Sequence, residues 1–540
     1  MNNVQRTALV SDNTTAADGV ASGIIAVGFL VFVTSWMTLF QWVGEGIRLL
    51  GVSLFQLLGL GLLLMGFGIA GIGLASRYGA IDTEPAESAG LLVGVTFGLI
   101  GLTTGGLVGS HVLGLGTAGG VVTGLVLGLG TAAVAVVSRE DIGSTLPSGV
   151  FLALVGVVFV AGIIDAGWSW SPKNLSVTLI GPVIVPTLAI LGSLVGVWSA
   201  AKPRSGFGAR GRQSAAFLLI GVSVFGMLAV LGLLVAFIVI NGLDTVLTDV
   251  TVGLGTHYIK ELGVSVPMID VVIPFVMNVS QSLFVDVPGV LPAIVGTLWL
   301  VVGAVVFAVP LGVGAAVFLT EYADEGRFTQ VVEIATNGLW STPSIVFGLF
   351  GLAFLLPRVS SGRKSLLGGQ LVLGFMLLPL VVITSREAIK AVPDEYRDAS
   401  AALGVSKWQT IRSVVLPAAM PGIITGIILG VGRIAGETAP LLLTYGGAPF
   451  ANSTPDVLGS FELSATPPFV TNEVLMTRGS ALPYQLYTSI TSGRLPGQGA
   501  PFSVTEFGWG TALVLLLVVL GLYAIGIGSR LYFRRKLHHE

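Results

Sequence analysis

The sequence predicts an all-α integral membrane protein whose helices fall into two sets of six. Three observations carry this. Hydrophobic residues make up 53% of the 540 positions and Asp, Glu, Lys and Arg only 10%, against roughly 25% charged in soluble domains. Mean hydropathy is +0.92. Twelve apolar runs are each long enough, at about 20 helical residues, to cross ~30 Å of hydrocarbon. They are expected near 19–40, 50–75, 89–110, 112–137, 149–168, 177–200, 215–240, 290–319, 334–356, 367–384, 421–444 and 509–529.

Composition also excludes several classes of function. A net charge of −2 argues against a nucleic-acid partner, and the lack of cysteine removes disulfides, thiol catalysis and thiolate metal sites. The four histidines, His111, His257, His538 and His539, are scattered or terminal, so no metal site and no catalytic residue is expected. Residues 1–18 are polar and lack the basic start and cleavage site of a signal peptide, so they are expected to remain as a tail before a retained first span.

The first six spans occupy 19–200. Glycine pairs four apart, Gly94 with Gly98 and Gly101 with Gly105, permit close helix contact. The Gly-rich stretch 89–137 reads either as one helical hairpin or as a less regular pair. These spans read as an added packing bundle or as a regulatory or partner-capturing element. A basic, Gly-rich segment at 201–214 is expected to link the halves, and 215–532 forms the second half before a tail at 533–540. Placing both termini in the cytoplasm puts seventeen Lys and Arg inside and eight outside, as positive-inside asymmetry requires. The cluster Arg358, Arg363 and Lys364 runs against it. Long outer loops at 241–289 and 445–508 read as partner-facing surfaces or as irregular caps.

The segment 386–420 reads as two short helices with a corner. Pro393 suits the first helical position, and Asp394 and Glu395 favour the positive N-terminal end. Gly404 suits the left-handed residue that ends a helix. Ser406 with Gln409 forms a capping box. Pro417 and Pro421 are expected to redirect the chain into the next span. From helix signals alone, this is either an ordinary amphipathic loop or a rigid knob that receives force from another protein.

Span eleven carries the charges that stand out. Arg433 lies twelve residues past Pro421, about 18 Å along a helix, and Glu437 follows four residues later on the same face. By these spans they are the only charges deep within a helix, while Asp165 sits nearer an interface. Such residues usually face the protein interior or a water-filled path, because a charge at bilayer centre costs ~2.5–3.5 kcal/mol. Two readings remain open at this point. One is a structural ion pair. The other is an oxyanion site, in which Arg supplies fork-shaped donors and Glu accepts a hydrogen bond from a protonated phosphate oxygen, which fully deprotonated sulfate cannot offer.

Two sets of residues carry a family resemblance. Asp398-Ala399-Ser400, three residues, Gly404, nine residues, then Val414-Val415-Leu416-Pro417 resembles the EAA loop of ABC importer permeases, with Asp398 for Glu, Ser400 for Ala and Val414 for Ile. Gly432-Arg433-Ile434-Ala435-Gly436-Glu437-Thr438-Ala439-Pro440-Leu441-Leu442 is similar to the signature of the PstA-type phosphate permease. Pro292 to Thr297, Glu321-Tyr322-Ala323 and Thr342 to Gly351 are similar too. The resemblance covers about 215–532.

It implies a six-helix, MetI-like permease core with an N-terminal membrane extension, in a multi-pass plasma-membrane subunit that imports inorganic phosphate. Arg433, Glu437 and Thr438 would line the pathway. Asp398, Ala399, Ser400, Gly404, Leu416 and Pro417 would couple to a cytoplasmic ATPase dimer. The chain has no G-x-x-x-x-G-K-[ST] phosphate loop, so ATP and Mg would belong to that partner, and no cofactor is expected here. A second phosphate permease and an extracellular phosphate-binding protein would complete the assembly. The alternatives are import of another oxyanion or small solute, and, in a different class, an intramembrane enzyme.

Overall fold

The computed structural model describes residues 16–44, 46–49, 51–171, 178–259, 264–280, 286–324, 326–467, 469–496 and 501–539. Most of the expected N-terminal tail therefore lies outside the described residues. Among these, eleven helices are long and apolar enough to cross a membrane, or twelve if one bent pair counts as a span. The chain forms two compact units, Met1–Leu233 and Leu234–Glu540, so the division falls inside a helix rather than in the basic segment 201–214.

The first unit holds α1 (Ala16–Leu39), a short hairpin of β1 (Arg48–Leu49) and β2 (Val52–Ser53), α2 (Leu54–Arg77), α3 (Leu91–Leu107), α4 (Gly116–Val137) and α5 (Glu140–Val160). A second short hairpin, β3 (Ser169–Trp170) with β4 (Leu179–Ile180), leads to α6 (Gly181–Arg204), and α7 (Gly208–Val246) begins here. The stretch 89–137 is a helical hairpin, with α3 closing on a π turn at Val108–Val112. Its glycines give the close approach expected: a Cβ at Gly101 would lie 2.7 Å from the Leu127 carbonyl oxygen, and one at Gly105 2.7 Å from that of Thr123.

Span five begins nine residues earlier than hydropathy placed it. Its first turns are polar, yet they are helical and buried, because Ser144, Thr145 and Ser148 donate back to the carbonyls of Glu140, Asp141 and Ser144. This also corrects the expectation of a single deep charged pair, since Glu140, Asp141 and Lys202 are buried as well. The 201–214 segment is not an extended linker. α6 runs to Arg204, and Gly206, Phe207 and Gly208, all left-handed, turn the chain into α7. Glu140 pins that turn by accepting from the Gly208 N–H (2.9 Å), the Ala86 N–H (2.9 Å) and Arg212 (3.3 Å).

The second unit continues α7 and adds a β-hairpin, β5 (Thr251–Ile259) with β6 (Val264–Val272). Then follow α8 (Pro274–Met277), α9 (Leu291–Val317) with a π turn to Tyr322, α10 (Arg327–Ser341), α11 (Ser344–Phe350) and, after a further π turn, α12 (Leu356–Val359). Next come α13 (Leu366–Lys390), α14 (Asp394–Ala402), α15 (Lys407–Thr410), α16 (Leu416–Ala435) and α17 (Ala439–Thr444). A hairpin of β7 (Phe461–Leu463) with β8 (Val470–Asn472), α18 (Leu482–Ser492) and α19 (Val504–His539) complete it. Among the described residues both long loops thus contain hairpins and short helices, and are not irregular caps throughout.

α13 is the central helix. Leu373, Met376, Leu377 and Val381 on it join Leu300, Ala304 and Ala308 of α9, Ile434 of α16 and Leu441 of α17 in one apolar core. Two expected spans are not straight. Span nine is the pair α10 and α11–α12, bent by 103° at Thr342-Pro343, because the residue before proline is pushed out of the helical region and Thr342 is extended (ψ 133°). Span eleven runs from Lys407 to Ala435 through a π turn at Ile411–Val415, and then breaks. Pro417 and Pro421 therefore sit inside a continuous helix and do not redirect the chain. The π turn just before Pro417 absorbs the shifted hydrogen bonds that its missing N–H requires.

The basic cluster that opposed the charge asymmetry has local work. Lys364 Nζ donates to the Leu442 carbonyl in the last turn of α17 (2.6 Å), and Arg358 donates to Phe354 O (2.8 Å) and stacks on its ring. Cations at helix C-terminal carbonyls are stabilising.

Candidate functional site

Arg433 and Glu437 meet, with Nε to Oε1 at 3.7 Å, but not on one helical face as expected. Gly436 caps α16 at its C-terminus, and α17 starts at Ala439 with Thr438 as N-cap. Arg433 is thus in the last turn of a 29-residue helix rather than at its middle. The charges suit these ends. A cation is favoured at the negative end of α16, and Glu437 sits just before the positive end of α17.

The break in span eleven lies beside the break in span nine. The Arg433 guanidinium stacks on Trp340, 4.2 Å from the ring centroid, one residue before α10 ends. Past both breaks α11 packs on α17, close enough that a Cβ at Gly348 would lie 2.8 Å from Pro440 Cα. Tyr523 of α19 approaches Gly432 so closely that a Cβ there would strike its hydroxyl. Broken helices at membrane depth are tolerated where their backbone is buried in protein or lines a water-filled path, and their ends are suited to binding ions. The Arg433 side chain keeps 35% of its exposure and Glu437 17%, so both can reach a solute.

In the 386–420 segment the first helix and the corner fold as the spacing predicted, with Asp394 rather than Pro393 opening α14, but the second helix is not short and runs on into span eleven. Gly404 is left-handed (φ +71°), and the Ser406–Gln409 capping box is present. Asp398 and Ala399 are exposed, whereas Ser400 is buried and donates to Tyr396 O (2.9 Å). Tyr396, Leu403 and Trp408 present exposed apolar surface around the corner. Leu416 and Pro417 lie beyond the π turn, on the helix that ends at Arg433.

Sequence reasoning gave no role to the residues that fasten this knob. Arg397 donates to Glu321 Oε1 through Nε (3.2 Å) and Nη2 (2.8 Å), to the Val392 (2.8 Å) and Ile389 (3.2 Å) carbonyls, and to Asp394 (3.0 Å). The bond to Glu321 raises the Arg397 pKa further above its usual range, so the charge is permanent. Lys407 lies over the Tyr322 ring at 5.2 Å. Glu321-Tyr322, quoted above only as a likeness, thus ties the end of α9 to both helices of the knob. Beneath it Ala316, Ile389, Val392, Val415, Ala419 and Ile423 form an apolar cluster.

Residues 308–539 match the family described as "Binding-protein-dependent transport system inner membrane component". The chain is 37% identical over 231 residues to "Phosphate transport system permease protein PstA 1" of Mycobacterium tuberculosis (strain CDC 1551 / Oshkosh), covering 43% of this chain and 67% of that protein. It is 34% identical over 248 residues to the PstA protein of Mycobacterium leprae (46% and 72% covered) and 33% identical over 253 residues to that of Xylella fastidiosa strain 9a5c (47% and 77%). Among solved structures, an inward-facing form of the MetNI methionine ABC transporter aligns at TM-score 0.33 and 17% identity, over 45% of this chain and 94% of that one. These relatives cover less than half of this chain, and α1–α6 lie outside the residues of the family match. This multi-pass membrane chain belongs to the binding-protein-dependent transport permeases, as a PstA-type transport subunit rather than an enzyme.

Proposed function

We propose that this chain forms part of the membrane pathway of an ATP-driven importer of inorganic phosphate, with Arg433, Glu437 and Thr438 as its anion gate. The observation that carries the reading is the Arg433–Glu437 pair at the meeting of two helix breaks. An arginine there offers a planar fork of donors to phosphate oxygens, and Glu437 accepts from a protonated phosphate oxygen. At 3.7 Å the two charges neutralise each other without a tight hydrogen bond, so the pair can open for an anion.

The family works with a substrate-binding protein and an ATPase. For this chain the reading is an extracellular phosphate-binding protein, a second phosphate permease subunit beside it, and a cytoplasmic ABC ATPase dimer that holds the ATP and Mg. The exposed tip around Asp398, Ala399 and Gly404 supports docking to the ATPase. On this reading the knob, and both termini, lie on the cytoplasmic face of the plasma membrane. The route for force runs from Gly404 through Leu416 and Pro417 along the helix to Arg433. The first six spans act as a packing extension.

Labelled phosphate uptake into vesicles that hold the complete complex, with ATP on the cytoplasmic face, tests the reading. Uptake should need both ATP and the binding protein, and a hundredfold excess of sulfate should leave it within about twofold. Binding-protein-dependent uptake of a different solute, with phosphate excluded, would overturn it.

A further inference from the structure

Another arginine–carboxylate pair lines a small pocket beside α10. Arg386 Nη1 lies 3.3 Å from Glu333 Oε2. The pocket, about 40 Å³, is bounded by Glu333, Thr336, Asn337, Val382, Arg386 and Glu387. A water needs roughly 10–15 Å³ on this measure, so the space suits a few waters or one small oxyanion. Arg386 is only 18% exposed, and its Nε is buried without a hydrogen-bond partner among the described residues. A buried guanidinium N–H without an acceptor is costly, and an oxyanion would supply one.

The pocket is connected to the gate by its position on α10. Glu333, Asn337 and Trp340 are spaced i, i+4, i+7, so they share one helical face, and Trp340 carries the Arg433 guanidinium. Seven residues correspond to about 10 Å along that face. At its other side Arg386 lies one turn before the end of α13, which joins the knob. The pocket thus stands between the gate and the coupling loop.

We propose that Arg386, with Asn337, is a second phosphate station on the cytoplasmic side of the gate, from which phosphate is released. Glu333 is its exchangeable counter-ion. Its side chain is 52% exposed, so an arriving anion can displace it into water, and its return expels the anion. The two carboxylates, Glu333 and exposed Glu387, keep binding weak. Weak binding suits release, because conduction needs sites favourable enough to enter and weak enough to leave. The inference rests on the gate reading of Arg433 and Glu437, but it is tested separately.

The test measures inhibition of labelled phosphate uptake by unlabelled phosphate on the cytoplasmic side, in vesicles holding the complete complex. Arg386→Gln should raise the half-inhibitory internal concentration at least about tenfold, the scale of a lost charged hydrogen bond, a larger change than it makes in the external KM. Glu333→Gln removes the competing carboxylate and should lower that concentration several-fold. A purely structural role would change assembly or thermal stability and shift neither inhibition constant. Unchanged internal inhibition in folded variants would overturn the station. If Arg386→Gln fails to assemble, Glu333→Gln, at a half-exposed position, decides the matter by the same readout. Failure of the gate reading would show elsewhere, as normal transport in a complex lacking Arg433 and Glu437.

Discussion

Replacing Arg433 by Met together with Glu437 by Gln should reduce phosphate uptake at least a hundredfold while the complex still assembles. A tightly buried ion pair would behave differently. Removing one partner of such a pair costs about 3–5 kcal/mol, and removing both restores stability. Here the distance is 3.7 Å and both side chains keep contact with solvent, so that figure must be discounted for screening, and a structural lock is a poor description. The single variants should fold as well. Neither the double variant nor Arg433→Met should transport, because no donor fork remains to replace the hydration shell of phosphate, and Glu437→Gln should lose uptake in part because the acceptor for a protonated phosphate oxygen is weakened. Arg433→Lys keeps the charge and loses the planar fork and its stacking on Trp340, so uptake should fall at least about tenfold with assembly intact. Uptake is normalised to assembled complex in the membrane.

Arg397→Ala should uncouple ATP hydrolysis from transport. The guanidinium joins Glu321 at the end of α9 to the start of the knob through several charge-assisted bonds, each worth about 1.5–3 kcal/mol. Without it the knob can still meet its ATPase through the exposed tip, but its movement is no longer passed to α9. Phosphate imported per ATP hydrolysed should drop at least about tenfold. Glu321→Gln keeps the size of the acceptor and removes its charge, and should give a milder loss in the same direction. Gly404, by contrast, acts through backbone shape: it has φ +71°, so a β-branched residue there should impair docking itself. Measuring ATPase pull-down beside uptake separates the two effects.

Much of this was legible in the sequence. Length and hydropathy gave the spans because each needs a long apolar run whatever its neighbours. The knob was legible because its signals are local: Gly404 needs a left-handed conformation, and Ser406 and Gln409 cap each other. What was misplaced depended on breaks inside apolar runs. Hydropathy passes smoothly through Thr342-Pro343 and through Gly436, yet both carry stop signals. Proline restricts the residue before it, and a glycine followed by Thr438 and Pro440 marks one helix ending and another beginning. Those signals would have shown that Arg433 and Glu437 sit on an interruption rather than on one helical face.

Other features were out of reach because they join distant positions. Trp340 under Arg433, Glu321 beneath Arg397 and Tyr523 against Gly432 are contacts between helices far apart in the chain. The polar start of α5 was missed because Ser144, Thr145 and Ser148 satisfy themselves within the helix, so buried helix there looks like loop by hydropathy. The turn at 206–208 read as a linker because its glycines and basic residues have loop composition. Glu140, some seventy residues earlier, is what holds it.

The chain contains no cysteine, so one placed at Thr438 would be its sole thiol and a direct reporter on the gate. The decisive measurement is the rate at which a membrane-permeant thiol reagent modifies Thr438→Cys in the assembled complex, with and without phosphate. Saturating phosphate should slow modification at least about fivefold, sulfate at the same concentration should not, and the protection should be lost when Arg433 is replaced by Met. An equal rate with and without phosphate, in a complex that still imports it, would contradict the claim that phosphate passes between Arg433 and Glu437.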